Sequence, residues 1–134
     1  VILFAPAIRL TMSFMDKIKL QVGSYFISEI PRDSLDGSGL WQGYPGVPLK
    51  GGVELLRFQK ATMKELSKIK QPVIIFQGRK DLTVASEAGE IILNGISSKV
   101  KERHWMERSS HAIVLDDEHE EVAEISMQFI EENS

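Results

Sequence analysis

The chain has no cysteine. That excludes disulfides and thiolate metal sites and suits the cytoplasm, the compartment expected here. It also has no long apolar run. Nothing in it approaches the roughly 18 consecutive apolar residues of a membrane span, so no stable membrane insertion is expected. The opening "VILFAPAI" is too short for a signal-peptide core with its flanks, and no basic segment precedes it. Neither charge is in marked excess. A net charge of −3 over 134 residues makes nucleic acid and anionic membrane poor partners. The three histidines show no HExxH or comparable short spacing, so neither a metal nor a cofactor is expected.

What is present is the composition of one soluble globular domain, 43% hydrophobic and 26% charged. The chain starts at Val1, inside an apolar strand-like run and without a polar lead-in. On that ground the sequence reads as part of a longer polypeptide.

Val1–Phe4 is continuously apolar, as parallel strands buried on both faces tend to be. Residues 9–52 carry scattered apolar residues punctuated by "PRDSLDGSG" and "GYPGVPLKGG", which reads as an irregular excursion with short helices. From Val53, helical spacing appears at Val53, Leu56 and Ala61, widened by Leu55 and Phe58. Thr62-Met63-Lys64-Glu65 has capping-box form, and Pro72 ends the helical pattern before Gln71. A strand over 73–77 follows. A helix over about 85–94 comes next, capped by Thr83 or Ser86 and stopped by Gly95. Val100–Met106 reads as a strand near a sheet edge. Asp117-Glu118-His119-Glu120 opens a last helix that buries Val122, Ile125, Phe129 and Ile130. Strands alternating with helices imply a parallel sheet, with functional residues beyond the carboxyl ends of its strands.

Two chemically capable residues fall at such positions. Asp81 follows the strand-ending "GRKD", and His111 follows the next strand in "ERSSHAIVL". A carboxylate and an imidazole are two members of a hydrolytic triad, the first fixing the tautomer and orientation of the second. "KQPVIIFQGRKDLTV", "SSHAIVLDDEHEEVAEISMQFIEE" and "VILFAPA" together resemble the second half of an α/β-hydrolase, closest to the bacterial carboxylesterase and monoacylglycerol-lipase-like family. "GYPGVPLKGGVELLRFQ" is similar to the segment where that family's lid returns to the core.

The resemblance implies an α/β fold: a parallel sheet with flanking helices and an inserted lid. Residues 1–8 would be a core strand, 9–52 the lid, and 53–134 the C-terminal core. Asp81 would be the acid and His111 the base. Phe14, Met15, Tyr25 and Phe26 of the lid would line the acyl site. The substrate would be a small-molecule ester. Ser110 stands where relatives often have glycine. The family's nucleophile elbow, G-x-S-x-G, is absent; Gly37-Ser38-Gly39 is the nearest stretch, but Asp36 precedes it and no buried strand leads into it. The serine, the oxyanion segment and the rest of the sheet are therefore expected on upstream polypeptide or another chain.

Plainer readings stand beside these. Asp81 has the character of a turn residue, and the acidic run 116–121 that of a solvated helix start. His104 reads as a strand side chain and His119 as a surface residue. The Met/Phe/Tyr-rich stretch 12–27 equally suits plain core. A different class of function is a non-catalytic binding module that keeps the half-fold, with Val1–Phe4 paired to another chain.

Overall fold

The computed structural model describes residues 1–31 and 46–134. Gly37-Ser38-Gly39 lies outside the described residues. In chain order the elements are β1 (Ile2–Phe4), α1 (Phe14–Gly23), β2 (Glu29–Pro31), β3 (Gly46–Pro48), α2 (Leu49–Glu65), β4 (Val73–Gly78), α3 (Ala88–Gly95), β5 (Lys101–Met106) and α4 (His119–Glu132). Short 3-10 turns occupy Leu66–Lys68 and Ile113–Leu115.

The apolar run 73–76 becomes the middle of a parallel sheet ordered β1-β4-β5. Every residue of β4 is buried, because strands flank both its edges and its side chains meet packed residues on both faces. Period-two alternation divides those side chains between two cores. Val73 and Ile75 join Ile8, Leu66, Val84, Ala88, Ile92 and Ile96 on one face. Ile74 and Phe76 join Ala5, Met106, Ile113, Val122 and Phe129 on the other. Residues of α3 thus cover the first face and those of α4 the second. Burial of each of Ile74, Ile75 and Phe76 contributes roughly 1.5–3 kcal/mol. As expected from its mixed composition, β5 lies at a sheet edge.

Between β1 and β4 the chain makes the excursion. Ser13 caps α1 in a full capping box with Asp16. Helix α1 packs against α2, and β2 and β3 pair as an antiparallel ribbon.

Several local expectations are corrected. Helix α2 begins at Leu49 and runs unbroken past Thr62, whose backbone is already helical and so cannot cap a new turn. Its outer apolar residues Leu55 and Phe58 are exposed, whereas Gln59 is buried and donates from Nε2 to the Ala7 carbonyl at 2.6 Å. Helix α3 starts only at Ala88, after Glu87, which makes no side-chain cap. Helix α4 is likewise preceded by Glu118 without a capping bond, and Ile130 stays exposed.

Candidate active site

Both loops that carry the candidate residues leave the carboxyl end of the sheet. β4 ends at Gly78 and β5 at Met106, and these two residues are register partners. Beyond that pair the chains stay joined: Arg79 N–H donates to the Met106 carbonyl at 2.9 Å, and Lys80 N–H to the Ser109 carbonyl at 3.0 Å. The crossing is close. A Cβ on Gly78 would fall 2.4 Å from the Ser109 carbonyl oxygen. Residue 78 is therefore glycine for lack of space, since the opposing backbone occupies the place of a side chain.

The result is direct contact. His111 Nδ1 lies 2.9 Å from Asp81 Oδ2. An ionised carboxylate only accepts, so Nδ1 carries the proton in this contact and Nε2 of the neutral ring is left as the base. The other oxygen, Oδ1, accepts the backbone N–H groups of Thr83 at 2.7 Å and Val84 at 2.9 Å. Thr83 thus belongs to a turn closed by Asp81 and is not a helix cap. Burial of Asp81 works to raise its pKa, but the His111 hydrogen bond, the two backbone donors and the nearby imidazole together hold it below its usual value. The aspartate side chain is 6% exposed and the histidine 22%. The acid is thus enclosed while the base still reaches solvent or a reactant.

The acid loop is anchored at further points. Segment 9–11 runs along it, with Thr11 N–H donating to the Thr83 carbonyl and Ala85 N–H to the Arg9 carbonyl, both at 2.9 Å. From the sheet, Gln77 Oε1 accepts Gly89 N–H at 3.0 Å and Nε2 donates to the Ala85 carbonyl. The signal that could have singled out Gln77 is its place as the polar residue closing an apolar run. Asp116 and Glu118, both buried, carried no such signal, because an acidic run reads as solvated whatever its members touch.

The hydroxyls nearest in sequence to the base are already engaged. Ser109 is fully buried and donates from Oγ to Glu118 at 2.6 Å. Ser110 Oγ donates to Asp116 at 2.7 Å. His104 lies beside Glu102 on β5, and His119 Nδ1 meets the Asp116 carbonyl. Among the described residues no three His, Cys, Asp or Glu gather as a metal site, and no helix is long and apolar enough to cross a membrane.

Phe14, Met15, Tyr25 and Phe26 do not form one apolar wall. They are 76%, 57%, 81% and 84% exposed. Phe14 lines a groove of about 530 Å³ between α1 and α2, with Ile18, Val53, Leu56 and Met63. Tyr25 lines a separate groove with Gln21, Ser24 and Lys50. Phe14 and Met15 open a short helix that rests on one neighbour and so covers one side only, while Tyr25 and Phe26 lie in the turn beyond its end at Gly23. A third groove, about 630 Å³, runs between Asp81 and the start of α1 and is lined by Arg9, Lys17 and Glu87.

Comparison with known proteins identifies the family and the fold. A family model described as serine aminopeptidase, S33, matches residues 42–118, a stretch holding both Asp81 and His111. A solved structure from work on the metagenome-derived lipolytic enzymes LipS and LipT is similar at 30% identity and a TM-score of 0.86, over 98% of this chain. The monoacylglycerol lipase of Paleococcus ferrophilus shares the fold at 16% identity and a TM-score of 0.79. So does a soluble variant of the monoglyceride lipase of Saccharomyces cerevisiae, solved with a substrate analogue, at 16% and 0.71. The chain spans 54%, 59% and 55% of those three chains.

Proposed function

The chain belongs to the serine aminopeptidase S33 family of α/β-hydrolases, and from that premise we propose that it supplies the acid and base of a carboxylic ester hydrolase. The nucleophilic serine, in this reading, lies on polypeptide outside these 134 residues. One observation carries the proposal: the 2.9 Å contact between His111 Nδ1 and Asp81 Oδ2, made by two loops at one rim of the sheet.

The chemistry follows from the proton positions. His111 Nε2 takes the proton of the serine hydroxyl as its oxygen attacks the ester carbonyl. Asp81, ionised, stabilises the imidazolium that forms. The imidazolium then protonates the departing alkoxide, leaving an acyl-serine and an alcohol. Water, deprotonated by the same Nε2, attacks the acyl carbon. The carboxylic acid leaves as the serine oxygen recovers its proton. None of these steps calls on a metal or cofactor.

In the same reading, residues 9–52 are a lid. Phe14 contributes to an acyl-binding groove, with Met15, Tyr25 and Phe26 meeting substrate only when a further surface covers them. The outer edge of β1, unpaired among the described residues, is where the rest of the sheet, from an N-terminal half or another chain, adds on. The lipolytic names of the similar structures favour fatty-acyl esters, and the lack of cysteine favours the cytosol as the site of action.

The family's description as an aminopeptidase favours a second reading, since the same proton transfers serve amide cleavage. The intact protein should therefore be assayed on p-nitrophenyl butyrate and on an aminoacyl p-nitroanilide, and treated with a fluorophosphonate. Ester turnover is expected, with the phosphonate on a serine outside these 134 residues. Faster anilide cleavage would move the assignment to peptidase. Labelling of Ser109 or Ser110 would overturn the placement of the nucleophile. No turnover and no labelling would favour the non-catalytic module.

A further inference from the structure

The acidic run after His111 turns two of its members inward. Asp116 and Glu118 are each 5% exposed. Asp116 Oδ2 accepts both the backbone N–H and the hydroxyl of Ser110. Glu118 Oε2 accepts the Arg108 backbone N–H at 2.9 Å and the Ser109 hydroxyl at 2.6 Å. All three residues before His111 are thereby held by carboxylates. From the opposite side, Lys80 N–H of the acid loop holds the Ser109 carbonyl. The backbone that delivers the imidazole is gripped between two walls.

Burying carboxylates is costly unless their oxygens are well satisfied, and a plain connection from β5 to α4 would not need two of them. Here each is satisfied by one backbone N–H and one serine hydroxyl. Those donors sit within three residues of the catalytic candidate. The Asp116 carbonyl also receives His119 Nδ1 at 2.8 Å, tying the same turn to the start of α4.

We propose that Asp116 and Glu118 are positioning residues for His111, locking residues 108–110 so that the imidazole is held against Asp81. They act through the loop backbone rather than on the ring. The effect on turnover rests on the triad reading; the effect on the His111–Asp81 contact does not.

The test uses the intact protein and four variants, Asp116→Ala, Asp116→Asn, Glu118→Ala and Glu118→Gln. The readouts are kcat and KM on p-nitrophenyl butyrate, the thermal midpoint, and the low-field proton resonance of His111 Nδ1–H, assigned by its loss in His111→Ala. Alanine removes the acceptor, whereas the amides keep one oxygen to accept the same donors. The alanine variants should lose about ten- to a hundredfold in kcat. Their KM should stay within about twofold, and the resonance should broaden or vanish. The Asp116→Asn and Glu118→Gln variants should retain the resonance and a kcat within about threefold of wild type.

A folded Asp116→Ala protein with wild-type kcat and resonance would overturn the proposal. So would losses in all four variants that merely track the thermal midpoint. If the alanine variants do not fold, the double variant Ser109→Ala/Ser110→Ala removes the hydroxyl bond to each carboxylate and leaves only the backbone N–H bonds, and an unchanged resonance in it is the overturning result. If His111→Ala leaves turnover intact, the triad reading fails while the resonance still measures the grip on the ring.

Discussion

A methyl group on Gly78 would stand 2.2 Å from the carbonyl oxygen of Ser110. The residue that closes the central strand and the residue that precedes the candidate base thus share one van der Waals contact. Through it, the end of β4 sets how near the acid loop and the histidine loop can come.

Gly78→Ala is accordingly expected to force those loops apart. Overpacking of this kind costs about 1–3 kcal/mol, more where only backbone is available to yield. Urea denaturation of the intact protein should show the loss, and ester turnover should fall further than stability alone accounts for. Wild-type stability and turnover would mean that the neighbouring backbone has room to give.

His111→Ala should lower kcat on p-nitrophenyl butyrate by about a thousandfold or more, with little change in thermal midpoint. Asp81→Asn should cost a comparable factor, because the amide cannot fix the Nδ1–H tautomer. It retains an oxygen for the Thr83 and Val84 N–H groups, so the fold should persist. Asp81→Ala loses that turn as well and should be the less stable of the two. Steady-state kinetics beside thermal melts separate these effects.

Acid should destabilise the protein in a defined direction. Burial tends to raise the carboxyls of Asp81 and Glu118, but their hydrogen bonds outweigh it and hold both below their ordinary values of 3.8 and 4.5. A carboxyl whose pKa is lower in the folded state contributes stability above its unfolded pKa. That contribution is lost as pH falls through the folded value. The urea midpoint should be flat above about pH 5 and decline below it, with a shallower decline in Glu118→Gln. Identical slopes in the two proteins would remove Glu118 from the account.

Among the described residues, the outer edge of β1 pairs with no other strand, and Phe4 beside it is 44% exposed while stacked on Phe76 at 5.6 Å. Free, flat, apolar edges recruit other strands. The 134-residue chain expressed alone is expected to elute as oligomers on size exclusion, and Phe4→Lys to shift it toward monomer. A monodisperse wild-type monomer would contradict this.

The alternation of strands and helices and the two candidate residues were legible in the residues themselves. A continuous apolar run between turn signals can be satisfied only by burial on both faces, which makes 73–76 a central strand. Its punctuation by glycine, with aspartate following, marks a loop at the sheet's carboxyl end. The resemblance of "GRKD" and "SSH" to one family supplied their roles. Exposure was not legible. Phe14, Tyr25 and Phe58 carry apolar side chains that local pattern assigns to an interior, yet no neighbouring element among the described residues covers them. Asp116 and Glu118 show the reverse, charged residues that local pattern assigns to solvent. Periodicity reports which side of an element a residue occupies. What lies opposite that side is decided by tertiary packing, and here the loop before His111 folds back against the approach to α4 and encloses both carboxylates.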